Sequence, residues 1–207
     1  MANPLNRSLK DEINSQLRKD KETQLKVKQM IEKQFRVMHQ KLMRDFQSHP
    51  VTRELRGGAG SSNLSGGLKE GNLFGFIGFE IGDDPVSEIE KLLNKTAIII
   101  KNRRFGSLGF AWTYLVTSPS MKDLHMATPL PWAKGASWLR DLEGRGIPNL
   151  GQYMHKNIRS SRSGAGFQNK NRQPGGSVKT PYVKELLMQF ENNLNSLNAS
   201  RVSKKYF

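Results

Sequence analysis

Apolar positions along the chain follow two periods. From Leu5 to Phe46 the spacing is helical: Leu5, Leu9, Ile13 and Leu17 recur every four residues, and after a polar gap at 18–24 the stripe resumes as Val27, Ile31, Phe35, Met38, Leu42 and Phe46. Taken as continuous, about 42 residues rising ~1.5 Å each would form a rod of ~60 Å, longer than a small core covers. The second half is expected to pack on a sheet, with the polar gap as a hinge. The first half is expected to project toward a neighbouring chain or to lie along its own domain. The second period belongs to 72–116. Residues 73–79, 96–100 and 108–116 are rich in β-branched and aromatic side chains and bounded by Gly, Asp, Pro or Asn, the pattern of three strands. Residues 101–107 would join the last two as a hairpin, with Gly106 free to take a positive φ. This sheet is expected to seed the core.

The remaining segments attach to it. His49-Pro50 ends the first helical run, because the residue before proline is pushed out of the helical region. Residues 57–67, rich in Gly and Ser, read as a flexible loop or an insertion meeting another subunit. They are not a phosphate loop, because Lys69 is followed by Glu70 and Gly71 rather than by a hydroxyl residue and a helix. Asp84-Pro85 starts a short helix with Val86, Ile89, Leu92 and Leu93 on its buried face. Residues 118–132 read as a long irregular loop, 133–142 as a short helix stopped by glycine, and Thr180-Pro181 as the cap of a last helix bearing Val183, Leu186, Leu187, Phe190, Leu194 and Leu197. The expected fold is α+β: a small antiparallel β-sheet packed by a long N-terminal helix and a C-terminal helix, with long loops or arms. Residues 1–26 form a projecting helical extension, 27–200 the core domain with a basic arm at 144–179, and 201–207 a basic tail.

Charge changes this picture most. Lys and Arg number 33 against 18 Asp and Glu, a net charge of +15, which points to an anionic partner or environment. Between Gly144 and Lys184 there is no acidic residue, while Lys156, Arg159, Arg162, Lys170 and Arg172 fall there; such a segment neutralises several phosphates or wedges into an acidic neighbour. Lys101, Arg103 and Arg104 crowd the expected hairpin tip, where they either reach a groove or guard a strand edge. Trp112, Trp132 and Trp138 suit a core or an interface better than base stacking. With 36% hydrophobic residues for 207 positions, the interior is small for the length, so outlying segments should find burial against companions.

Reaction chemistry is thinly represented. There is no cysteine, which excludes disulfides, thiolate nucleophiles and cysteine-bound zinc. His39, His49, His125 and His155 stand at no ligand spacing, Asp84 is occupied as a cap beside Asp83, and no Gly-x-Ser-x-Gly elbow occurs. No catalytic residue, metal site or cofactor is expected. No apolar run approaches the ~20 residues of a membrane span, and 1–20 does not read as a signal segment, which places the chain in a cytosol-like space or a particle assembled there.

The layout resembles a family. Residues 62–66 turn into 73–79, a hairpin follows, then Trp138-Leu139-Arg140-Asp141-Leu142-Glu143-Gly144-Arg145-Gly146-Ile147-Pro148, and Thr180-Pro181-Tyr182-Val183 opens the last helix. Trp138, Glu143-Gly144 and Pro181-Tyr182 stand where the neck and tail-completion (head–tail joining, minor tail) proteins of tailed bacteriophages carry an aromatic–Glu–Gly stretch and a Pro-aromatic helix start. The resemblance spans roughly 27–197; the first 25 residues, the 85–94 helix and the 118–132 loop exceed the compact pattern. It implies a non-enzymatic virion protein, assembled in the host cytoplasm, that forms a hexameric or dodecameric ring of its own copies around the DNA conduit. Connector, tail-tube or tail-terminator proteins would be its neighbours, and packaged DNA a further contact. Leu5, Leu9, Ile13, Leu17, Trp132 and Trp138 would then serve subunit interfaces. The basic residues would face DNA or an acidic partner. The competing reading is a sequence-independent nucleic-acid-binding protein.

Overall fold

A computed structural model describes residues 20–68, 71–106, 109–131, 133–147 and 177–203, together with Leu9, Glu12, Ile13 and Gln16; over 100–106, 109–113 and 197–203 it describes the backbone. The class is α+β: seven α-helices among the described residues, with a long one near the N-terminus and one at the C-terminus, and two small antiparallel two-stranded sheets. The chain forms two compact units, Met1–His39 with Thr96–Ser118, and Gln40–Lys95 with Pro119–Phe207.

The helix α1 (Lys21–Ser48), whose residues up to His39 belong to the first unit, begins at Asp20, whose carboxylate accepts the Glu22 N–H at 3.0 Å and the Thr23 hydroxyl. The polar gap therefore contains a capped helix start. Along α1 the expected stripe holds: Val27, Ile31 and Met38 are half-buried, and Phe35 is buried and stacked on His39. The hairpin pairs β1 (Ala97–Gly106) with β2 (Gly109–Thr117) in antiparallel register from Ala97 opposite Thr117 to Gly106 opposite Gly109. The register slips between Ile100 and Asn102, leaving Lys101 as the extra residue of a bulge.

The second unit holds the larger core, and that core is helical. Leu42 and Phe46 of α1, Val51 and Leu55 of α2 (Pro50–Arg56), Ile89 and Leu93 of α4 (Ser87–Asn94), and Leu139 and Leu142 of α6 (Trp138–Gly144) are all buried. Tyr182 and the stripe Val183, Leu186, Phe190 and Leu194 of α7 (Val183–Ser203) join them. Tyr182 sits at the centre. Its ring stacks on Phe46 at 5.9 Å, and its hydroxyl meets that of buried Thr52 at 2.6 Å, so the polar end of a buried aromatic is satisfied.

Several expectations are corrected. Residues 73–79 are not a strand: α3 (Leu73–Ile77) is a short helix, because the Asn72 carboxamide accepts the Gly75 N–H at its start and Gly78 closes it at φ 88°. Leu73, Phe74 and Ile77 are the helical triad it buries. The sheet therefore does not seed this core. The Gly/Ser-rich 57–67 segment is not loose. Glu54, fully buried in α2, accepts N–H groups from Ser65 and Leu73 at 2.7 and 2.6 Å, and Asn72 donates to the carbonyls of Ala59 and Ser61. Within 118–132 lies α5 (Met121–Met126), held by a reciprocal Ser120–Asp123 capping box. Residues 133–142 divide between β4 (Ala133–Ser137), paired with β3 (Pro129–Leu130), and the start of α6. Asp84 does accept the Val86 N–H, but the regular helix starts only at Ser87. Thr180 does not cap the last helix; its hydroxyl donates to Val178, and Glu143 accepts the Lys184 N–H instead.

Candidate interaction surfaces

The first candidate surface is the N-terminal stripe. Leu9 and Ile13 are helical and 64% and 50% exposed, whereas Phe35, Leu42 and Phe46 of the same stripe are buried. Leu5, Leu17 and Trp132 lie outside the described residues. Trp138 is corrected: it is 1% exposed within its own chain, edge-on to Phe79 at 6.1 Å, so it serves the fold and offers nothing to a neighbour.

The second is the ribbon. Lys101, Arg103 and Arg104 were expected at the turn, but all three belong to β1, with Lys101 at the bulge, Arg103 opposite Trp112 and Arg104 opposite Ala111. The strand pairing runs on past them to Gly106, so these three positions lie within the strand, short of its turn.

The third is the base of the basic arm. Ile147 donates its N–H to the Ser177 hydroxyl at 2.8 Å, and Ser177 returns its own N–H to the Ile147 carbonyl at 3.2 Å. Gly146, at φ 80°, lies so close to Ser177 that a Cβ there would fall 1.8 Å from its carbonyl oxygen. Val178 donates to Gly67, and Thr180 to Leu142. The two ends of the expected 144–179 arm are thus folded into the core as a clamp. Lys156, Arg159, Arg162, Lys170 and Arg172 lie outside the described residues.

A cavity of about 290 Å³ opens beside the C-terminal helix, lined by Asp45, Ser48, His49, Tyr182, Glu185 and Gln189 among others. His49 tilts against the Tyr182 ring at 4.8 Å, and its Nδ1 accepts the Val51 N–H at 3.2 Å, capping α2. Only the neutral ring can do this. Burial lowers its pKa below the usual histidine range, with Glu185 pulling the other way. An unfolded histidine takes up its proton near pH 6.5. The stability this neutral ring supplies is therefore complete above that pH and is lost as pH falls toward the folded-state value. Asparagine keeps a capping acceptor without titrating. A His49→Asn protein should show a flatter denaturation midpoint than the parent between about pH 7 and about pH 5; parallel profiles would remove His49 from the acid response.

Among the described residues no three His, Asp or Glu side chains gather into a metal-sized cluster, and no helix is long and apolar enough to cross a membrane. Sequence reasoning missed Glu54, the His49 cap and the Gly146–Ser177 clamp. His-Pro before an apolar run was a usable signal for the cap; the other two join residues distant in sequence, and no local pattern marks them. Comparison with protein-family models, curated proteins and solved structures returned no match.

Proposed function

We propose that this chain is a structural subunit of the neck or tail top of a tailed bacteriophage virion, working by assembly rather than catalysis. Copies close into a ring around the DNA conduit, their exposed stripes buried against one another and their basic segments facing DNA or an acidic connector. The observation that carries the reading is the stripe itself. Leu9 and Ile13 are exposed in the single chain although they continue the apolar line that Phe35, Leu42 and Phe46 bury. Burying an exposed leucine or isoleucine is worth roughly 1.5–3 kcal/mol, so several copies gain substantially by meeting there. A second reading, sequence-independent binding of nucleic acid, draws on the stretch between Glu90 and Asp123, which holds Lys101, Arg103 and Arg104 and no acidic residue.

Light scattering on the full chain separates the two. The expected result is an assembly of about six or more copies that falls apart in a Leu9→Asp, Ile13→Asp double variant whose denaturation midpoint is unchanged. A monomer that binds DNA with steep salt dependence overturns the assembly reading in favour of the second.

A further inference from the structure

The two long edges of the β1–β2 ribbon are unlike. β1 carries Lys101, Arg103 and Arg104 and bulges at Lys101, and charge and bulges are the devices that keep a strand edge from pairing. β2 has neither. Its nine residues contain no proline, and they lie inside the run 105–121, which holds no charged residue and is the longest such run in the chain. The sheet has two strands, so among the described residues no strand lies beside the outer edge of β2. At the end of the ribbon where side chains are described, Ile99 and Leu115 stand opposite each other and are 48% and 45% exposed. A two-stranded ribbon is marginal in water on its own and gains from further strands.

We propose that the outer edge of β2 is an interface between two copies of this chain, whose β2 strands pair antiparallel across a two-fold axis into a four-stranded sheet ordered β1-β2-β2-β1. Charge selects the partner. Two copies each bearing +15 repel, and they can approach at least cost where neither brings a charge. Pairing through β1 would instead set Lys101, Arg103 and Arg104 of one copy against those of the other. An antiparallel strand is complementary to itself, so an axis at Thr113 places Gly109 opposite Thr117 with no residue left over. The inference rests on the reading of the chain as self-assembling and specifies a contact. Being two-fold, that contact is distinct from the head-to-tail contact that closes a ring, and it would join two rings back to back.

The chain has no cysteine, so single cysteines report cleanly. Each of residues 111–115 is replaced in turn by cysteine in the full chain, with Ile99→Cys on β1 for comparison, and the proteins are oxidised mildly. Opposite residues of an antiparallel pair lie about 4.5–5.5 Å apart at Cα, within disulfide range. The expected result is a disulfide-linked dimer with a sharp maximum within 111–115, the position of the maximum locating the axis, and little from Ile99→Cys. Crosslinking is compared among the variants whose reduced form keeps the parent's denaturation midpoint. Thr113→Lys, which sets two ammonium groups near the axis, should weaken this dimerisation at least about tenfold. A flat profile, or equal linking at Ile99, overturns the proposal. Rings that form without any β2 crosslink overturn it while leaving the assembly reading intact, and a protein that neither associates nor crosslinks overturns both.

Discussion

Replacing Gly146 with alanine is expected to destabilise the unit containing the C-terminal helix by about 3–5 kcal/mol, a large part of the 5–15 kcal/mol that holds a typical domain together. Two effects combine. Gly146 sits at φ 80°, a conformation that costs other residues roughly 1–3 kcal/mol. The new methyl group would also fall 1.8 Å from the Ser177 carbonyl oxygen, which is backbone and cannot swing aside. Relief requires the 146–147 and 177 segments to part, and with them go the two Ile147–Ser177 hydrogen bonds, each worth about 1 kcal/mol and more where a buried N–H is left alone. Gly144 is the matched control: it lies two residues earlier at the end of α6, and a Cβ there meets nothing within 4 Å. Gly144→Ala should leave the urea midpoint within error of the parent or slightly above it. Equal midpoints for the two variants would mean that the clamp is not a closed contact.

That clamp shows where sequence reading succeeds and where it stops. Gly146 is legible as a helix stop, but its second role depends on Ser177, 31 positions away, and no local pattern encodes it. The α1 stripe and the β1–β2 hairpin were legible because each repeats one period over enough residues to outvote exceptions. Residues 73–79 were not, because a helix of five residues presents too few turns to establish its period. Glycine alternating with Phe74 and Phe76 also imitates a strand. The decisive signs were single residues, Asn72 at the start and Gly78 at the end, and they carry meaning only as a pair. The Ser120–Asp123 capping box was equally present in the sequence but obscured by the prolines around it. Composition misled most at 57–67. Gly and Ser say that a backbone can move, not that it does, and what fixes it is a carboxylate from a different element. For the candidate surfaces the same division holds: the apolar stripe follows from periodicity, whereas burial of Trp138 follows from tertiary packing against Phe79.

The carboxylate that fixes the 57–67 segment gives the second large prediction. Glu54 is fully buried, and its two oxygens accept the Leu73 and Ser65 N–H groups at 2.6 and 2.7 Å, so one side chain ties the start of α3 and the Gly/Ser-rich segment to α2. Hydrogen bonds to a carboxylate are worth about 1.5–3 kcal/mol each, and the Leu73 N–H is buried, so losing its acceptor leaves a buried donor unsatisfied. Glu54→Ala should therefore cost about 3–5 kcal/mol. Glu54→Gln is the sharper probe. It keeps the volume and one acceptor oxygen but turns its other end into a donor facing a donor, so it should recover only part of the loss, leaving about 2–3 kcal/mol. Both variants should also open 57–67 to protease faster than the global loss of stability accounts for, because the tether fails locally before the core does. Cleavage in that segment at the parent's rate, in a variant that has lost stability overall, would show that the loop is held by its own turns and the Asn72 contacts rather than by Glu54.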